Sequence, residues 1–258
     1  MYLVLLFTAS LLGVSRSANV NKHMRLLSDL DNNIEHNVAQ NSLQSGARRF
    51  LTITQRPEAT YTHSHGEMLE LTCDAVGVPA PSIHWFKNDA PVYEYDVESN
   101  ELIDSNPSSL ARVISTLLVT RTTGHDVYTC LVSSGAKTAR ATTVVYEKDG
   151  SSIPSERAKL LPLEPRIVVT YEMYVDTIGN NIVLPCRVKG HPKPHVTWRD
   201  NKGIPIRKDS SRMRVLRSGE LVISSLRWSD MGEFTCQATN VFGSQLAKTF
   251  VYPAKVSV

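Results

Sequence analysis

Cys73, Cys130, Cys186 and Cys236 are the only thiols in a chain of 258 residues. As free thiolates they could act as nucleophiles or zinc ligands, and in an oxidising compartment they would pair. Their surroundings favour pairing. Cys73 is followed by Trp85 and then by Tyr128-Thr129-Cys130; Cys186 is followed by Trp198 and then by Phe234-Thr235-Cys236. Both cysteine-to-tryptophan steps have the same length, and the two sets use every cysteine and two of the three tryptophans. His63-Ser-His65 has the composition of a metal pair, but no other ligand cluster lies near it in sequence, so it reads as a solvated loop. Neither a G-x-S-x-G elbow nor a glycine-rich phosphate loop is present. With the thiols committed to disulfides, no catalytic constellation and no cofactor site remain, and the chain reads as a binding protein, not an enzyme.

A cysteine, a tryptophan and an aromatic-x-cysteine in this order belong on strands B, C and F of an immunoglobulin-type sandwich. There the disulfide joins the two sheets and the tryptophan packs on it. Each disulfide, Cys73–Cys130 and Cys186–Cys236, is expected to stabilise its domain by about 4 kcal/mol through lost chain entropy. The strand pattern agrees. Leu69, Leu71 and Cys73 alternate with polar residues on strand B, and Ile83 and Trp85 point inward on strand C. Strand E is expected over 113–119, F over 127–132 and G over 138–146. The second copy repeats the plan with Ile182, Leu184 and Cys186 on B, Val196 and Trp198 on C, and Leu221, Ile223 and Leu226 on E. Strands F and G follow over 233–239 and 246–252. Val78-Pro-Ala-Pro81 and His191-Pro-Lys-Pro194 mark the B–C turns, because two prolines cannot continue a ladder. The cysteine spacings leave no room for the extra edge strands of a variable domain. The expected fold is therefore all-β: two tandem immunoglobulin-like sandwiches of the intermediate, I-set type.

The first domain is assigned to 50–147 and the second to 165–253, with a Pro- and Ser-containing linker at 148–164 and a short tail at 254–258. Residues 1–17 read as a signal peptide: Leu3, Val4, Leu5, Leu6, Phe7, Leu11, Leu12 and Val14 form an apolar run, and Ser15-Arg16-Ser17 precedes Ala18. Residues 18–49 are polar and read as a flexible tail. No later apolar run approaches the length of a membrane span, so a secreted, extracellular protein is expected. Asn106-Pro107-Ser108 fails as a glycan acceptor because proline occupies its middle position.

The net charge of +3 predicts neither a nucleic-acid binder nor a membrane binder, but its distribution is informative. Residues 50–147 carry 6 Lys+Arg and 12 Asp+Glu, or −6, whereas 165–253 carry 13 and 7, or +6. Glu94, Asp96, Glu98, Glu101 and Asp104 concentrate the acidity, and Arg207, Lys208, Arg212, Arg214 and Arg217 form the basic counterpart. Solvated loops, domain–domain docking and a heparan sulfate contact all fit. Trp228 stands where a polar surface residue is usual. It either covers an arginine stem of its own domain or anchors a partner. The corner before strand F is incomplete in both copies. Phe234 replaces the tyrosine that would hydrogen-bond there, at a cost of about 1 kcal/mol, and Gly124 replaces the aspartate in the first copy.

Around the second copy a closer likeness emerges. Pro165-Arg-Ile, Gly179-Asn-Asn-Ile-Val-Leu-Pro-Cys186-Arg-Val188, Arg214-Val-Leu216, Gly219-Glu-Leu-Val-Ile223, Trp228-Ser-Asp-Met-Gly232 and Thr249-Phe-Val-Tyr-Pro253 resemble the arthropod neural/ectodermal development factor family, also called imaginal morphogenesis protein-late. Pro81-Ser-Ile-His-Trp85, Tyr128-Thr-Cys130 and Thr142-Thr-Val-Val145 extend the likeness into the first domain. The resemblance implies a secreted two-domain protein that sequesters insulin-like peptides and so antagonises insulin-receptor signalling during development. It also implies an interdomain ligand surface. The matching positions are Thr142, Val144 and Tyr146 on strand G of the first domain and Ile167, Val169 and Tyr171 on the first strand of the second; Trp228, from its own unusual position, is a further candidate contact. Sheet-edge pairing between the domains is the other reading of those β-branched segments. The alternative function is a cell-surface or matrix immunoglobulin module acting in homophilic adhesion or axon guidance.

Overall fold

Alternation of apolar and polar residues sets the strands, and the B–C prolines and F–G turns interrupt them. The computed structural model describes residues 49–64, 66–92, 106–148, 162–207 and 210–255. The expected signal peptide, nearly all of the tail before residue 49, His65, the five acidic residues from Glu94 to Asp104, Lys208, most of the linker and residues 256–258 lie outside the described residues.

In the first domain β1 (Phe50–Gln55), β3 (Leu69–Val78) and β6 (Leu110–Val119) form one layer. The other layer orders β2 (Thr60–His63), β8 (Lys137–Glu147), β7 (His125–Ser134), β4 (Ser82–Lys87) and β5 (Ala90–Pro91). The strand after β1 crosses to the opposite layer and pairs parallel with β8, Thr60 beside Val144. The second domain contains β9 (Leu163–Thr177), β10 (Ile182–Leu184), β11 (Cys186–His191), β12 (His195–Arg199), β13 (Met213–Val215), β14 (Leu221–Ile223), β15 (Gly232–Asn240) and β16 (Gly243–Ala254). There too the first strand runs parallel to the last, Phe250 beside Met173. The chain is thus built from two immunoglobulin-type sandwiches, nearly all β.

Proline divides strand B of the second domain. Pro185 has no N–H for a ladder, so β10 pairs with β14 before it and β11 pairs with β9 after it. The strand expected over Ile182, Leu184 and Cys186 is therefore interrupted into two ladders, while the three residues stay buried in one core as the alternation predicts. Pro165 acts similarly inside β9, where the register against β11 slips between Lys189 and His191.

Each core closes on its disulfide. Leu71, Trp85, Val113, Leu117, Tyr128, Val132 and Val145 surround Cys73–Cys130, and Ile182, Leu184, Trp198, Leu221, Ile223, Phe234 and Val251 surround Cys186–Cys236. The tryptophans satisfy their only donors inside: Trp85 Nε1 donates to Ser115 Oγ at 3.0 Å and Trp198 Nε1 to the Gly219 carbonyl at 2.9 Å.

One strand belongs to both domains. β9 pairs antiparallel with β6 from Leu110↔Val175 to Ser115↔Val169 and parallel with β16 further along. The result is one eight-stranded sheet in the order β1-β3-β6-β9-β16-β15-β12, with β11 also on β9. Ala80 and Ala111 of the first domain consequently pack in the core of the second. β6 begins at Leu110, earlier than the alternation alone predicts, because β3 pairs Ala111 and Arg112 and β9 pairs all of its first residues.

Candidate binding face on the shared sheet

Pairing on both edges decides which predicted residues can meet. Thr142, Val144 and Tyr146 lie on β8, whose two edges are occupied by β7 and β2. β2 takes one edge of β8 from Val144 to Glu147, and the ladder to the second domain is made by β6. The structure therefore does not bring these three residues together with Ile167, Val169 and Tyr171; the two groups stand in different sheets.

The β9 group is also only half exposed. Val169 and Tyr171 pack on the first core, and Ile167 and Tyr171 pack on the second. Burial pushes the Tyr171 hydroxyl up to about 12. Its ring stacks on Tyr174 at 5.3 Å, whose hydroxyl burial also raises, with the Asp176 carboxylate adding to the effect. Tyr174 donates to Asp176 Oδ2 at 3.1 Å, and Asn106 of the first domain donates to the same oxygen at 2.6 Å. These tyrosines are the joint between the domains.

The opposite face of this sheet is different. β16 buries Thr249, Val251 and Pro253, yet its outward residues include Leu246, Phe250 and Tyr252, which are 60, 42 and 42 % exposed. A strand with one solvated face normally alternates apolar and polar. Cross-strand register sets Phe250 beside Met173 and Arg112, and Tyr252 beside Val175 and Leu110. Trp228, 49 % exposed, meets Tyr252 edge-on at 6.1 Å. An apolar strip thus crosses β6, β9 and β16 and draws side chains from both domains. The signal for it was present in Thr249-Phe-Val-Tyr-Pro253, where both parities of the strand are apolar.

Charges punctuate the strip. Arg112 Nη1 lies 2.8 Å from Glu172 Oε2 and Nη2 lies 3.2 Å from Asp74 Oδ2, joining β3, β6 and β9. Glu172 is the extra residue where the β6–β9 register slips, which turns its carboxylate to the guanidinium. Burial raises the Asp74 carboxyl above the usual range against the opposing pull of Arg112. Arg166 Nε reaches Glu70 Oε1 across the domains at 3.2 Å, and Lys248 meets Glu233 at 2.9 Å. The opposite charges of the two domains are partly spent on each other.

The remaining predicted residues resolve individually. Arg212 grips the buried Asp230 bidentately at 2.7 and 2.6 Å, so it braces the corner before β15 and is not an open basic contact. Gly232 in that corner has φ +136, and a Cβ there would stand 3.1 Å from the Asn201 Cβ. Phe234 fills the tyrosine position fully buried. The first domain braces the equivalent place differently: Lys87 lies 2.8 Å from the buried Asp126, which also accepts from Asn88 and from the Thr123 N–H. Arg207, Arg214 and Arg217 are exposed. Trp228 has Tyr252 and Lys255 beside its ring, with the Lys255 Nζ 5.7 Å from the ring centre. His63 is buried with both ring nitrogens engaged, by Thr122 Oγ1 at 2.7 Å and the Glu67 carbonyl at 3.0 Å. Among the described residues no cluster of three or more His, Cys, Asp or Glu could hold a metal, and no helix is long and apolar enough to cross a membrane.

Comparison with known proteins gives the same architecture. Residues 165–252 match the immunoglobulin I-set domain and residues 52–134 match the immunoglobulin domain. The neural/ectodermal development factor IMP-L2 of Drosophila melanogaster is 35 % identical over 227 residues, covering 87 % of this chain and 85 % of that protein. The Zwei Ig domain protein zig-2 of Caenorhabditis elegans is 28 % identical over 214 residues, covering 79 % and 85 %. The crystal structure of neural ectodermal development factor IMP-L2 superimposes with a TM-score of 0.70 at 33 % identity, over 81 % of this chain and 97 % of that one.

Proposed function

Because the chain belongs to the family of the neural/ectodermal development factor IMP-L2, we propose that it is an extracellular, non-catalytic protein that sequesters insulin-like peptides and lowers activation of their receptor. The observation that carries this reading is the apolar strip of Leu110, Met173, Val175, Phe250, Tyr252 and Trp228 on the outward face of the shared sheet. Contiguous exposed apolar surface of this kind marks a site for a partner. Small helical hormones present an apolar receptor-binding face, and covering it on a rigid sheet would block the receptor by competition. Arg112, Glu172, Lys248 and Glu233 would supply the polar rim that orients the peptide. The role needs no catalytic group.

Calorimetric titration of the secreted protein against a panel of insulin-like peptides tests the reading, with sedimentation run alongside. Saturable binding to at least one peptide is expected. Heat-silent titrations accompanied by concentration-dependent self-association would instead favour a homophilic adhesion module.

A further inference from the structure

At one end of the apolar strip two aromatic rings meet edge-on, with a positive charge beside one of them. Trp228 opens a single 3-10 turn, Trp228–Asp230, and its ring stands nearly perpendicular to that of Tyr252, at 77°. Both rings are about half exposed, so each keeps π surface open to solvent. Lys255, three residues beyond Tyr252, is the cation beside the indole.

The turn is held from beneath. Asp230 accepts from the Arg227 N–H at 2.8 Å as well as from Arg212, and Asn201 Nδ2 donates to the Ser229 and Met231 carbonyls at 2.9 and 2.8 Å. The braced turn sets where the indole stands, and the π face of an indole attracts cations through its quadrupole. Asp230 is neutralised by Arg212, so the attraction comes from the rings and not from a carboxylate.

We propose that the Trp228–Tyr252 corner is a cation-binding site that takes a guanidinium side chain of a bound peptide, and that Lys255 is its resident occupant, displaced on binding. Guanidinium fits better than ammonium here. It is planar, stacks on an indole and is more weakly hydrated, whereas the Lys255 head is strongly hydrated on a flexible stem. As a tethered competitor Lys255 lowers the apparent affinity of the corner for any cation arriving from solution. The identity of the arriving cation as part of a peptide rests on the reading of the adjoining face as the peptide-binding surface; the cation preference belongs to the two rings themselves.

The test uses the indole N–H resonances of the whole protein. Trp85 and Trp198 are buried and donate to Ser115 and Gly219, so Trp228 is the one tryptophan free to report on solution probes. N-acetyl-arginine amide and its neutral citrulline counterpart are titrated into the wild type and into Lys255→Gln, a change at an exposed site. The arginine probe is expected to move the Trp228 signal saturably with Trp85 and Trp198 unmoved, citrulline to leave it in place, and Lys255→Gln to lower the half-saturating arginine concentration about threefold. Equal shifts with both probes, no shift with either, or indifference to Lys255→Gln would each overturn the proposal. An insulin-like peptide titration on the same samples separates the two readings. Peptide binding with no arginine selectivity removes only the cation site, and arginine selectivity with no peptide binding removes only the hormone reading.

Discussion

Arg112 on β6 holds Glu172 on β9 at 2.8 Å, so a side chain of the first domain grips the second at the register slip of their common ladder. The same guanidinium contacts Asp74 at 3.2 Å and lies in one cross-strand row with Met173 and Phe250. The ion pair that joins the domains therefore also borders the apolar strip.

Arg112→Met is expected to lower stability by roughly 1–3 kcal/mol, because the buried Asp74 carboxylate loses its partner. Asp74→Asn should cost less. Burial raises the Asp74 pKa, so its ionised form opposes folding above that pKa and the penalty fades as pH falls. Scanning calorimetry at pH 7 and pH 5 checks this; the gap between the two variants should narrow at the lower pH. Both should unfold in a single transition, since β9 is a strand of the sheet in both domains.

Alkali should attack the joint late. Tyr171 is pushed up to about 12 and Tyr174 is raised as well, both foremost by burial. A raised folded pKa contributes stability that is complete below the unfolded tyrosine value of about 10 and is lost as pH rises towards the folded one. Absorbance at 295 nm should be followed as pH rises past the unfolded tyrosine value of about 10. A step above it should coincide with loss of near-ultraviolet circular dichroism, and Tyr171→Phe should diminish that step.

The first domain should carry the acid-labile brace. Burial would raise the Asp126 carboxyl, but hydrogen bonds from Lys87, the Thr123 N–H and Asn88 outweigh it and hold it below the usual range. A depressed carboxyl gives stability that is present above the unfolded value of about 3.9 and lost as pH falls through the folded one. Lys87→Met should lower the wild-type stability at pH 7 and flatten its decline below about pH 4, read by urea unfolding at stepped pH.

Arginines of the second domain should separate by role. Arg212→Ala leaves Asp230 buried and unpaired and should cost roughly 3 kcal/mol in urea unfolding. Arg214→Ala with Arg217→Ala removes only exposed charge and should leave stability within about 0.5 kcal/mol. If the basic face contacts heparan sulfate, the second pair lowers the salt needed to elute the protein from heparin.

Local pattern carried much of this architecture. The cysteine–tryptophan–aromatic sets specified two sandwiches, and alternation placed Leu71, Ile83, Ile182 and Leu221 inside, because burial on one face of a strand repeats every second residue. Which edge would meet which was not legible. β8 and β6 are both rich in β-branched residues, so composition alone does not say that β9 joins β6 while β2 takes the end of β8. Arg212 was legible as a cation but not as Asp230's partner, since that pairing depends on a turn 18 residues away. The apolar strip lay hidden for a related reason: Phe250 and Tyr252 look like core residues until Thr249, Val251 and Pro253 are seen to occupy the inner face.

The central claim is that insulin-like peptides bind on the outward face of the shared sheet. Calorimetric titration of Phe250→Glu and Tyr146→Glu against a peptide bound by the wild type tests it most directly, since both side chains are exposed and stand in different sheets. The account predicts that Phe250→Glu weakens binding at least tenfold, the scale of a central interface residue, while Tyr146→Glu leaves it unchanged and both keep the wild-type melting temperature. Full affinity in Phe250→Glu with binding lost in Tyr146→Glu would contradict it and return the site to β8.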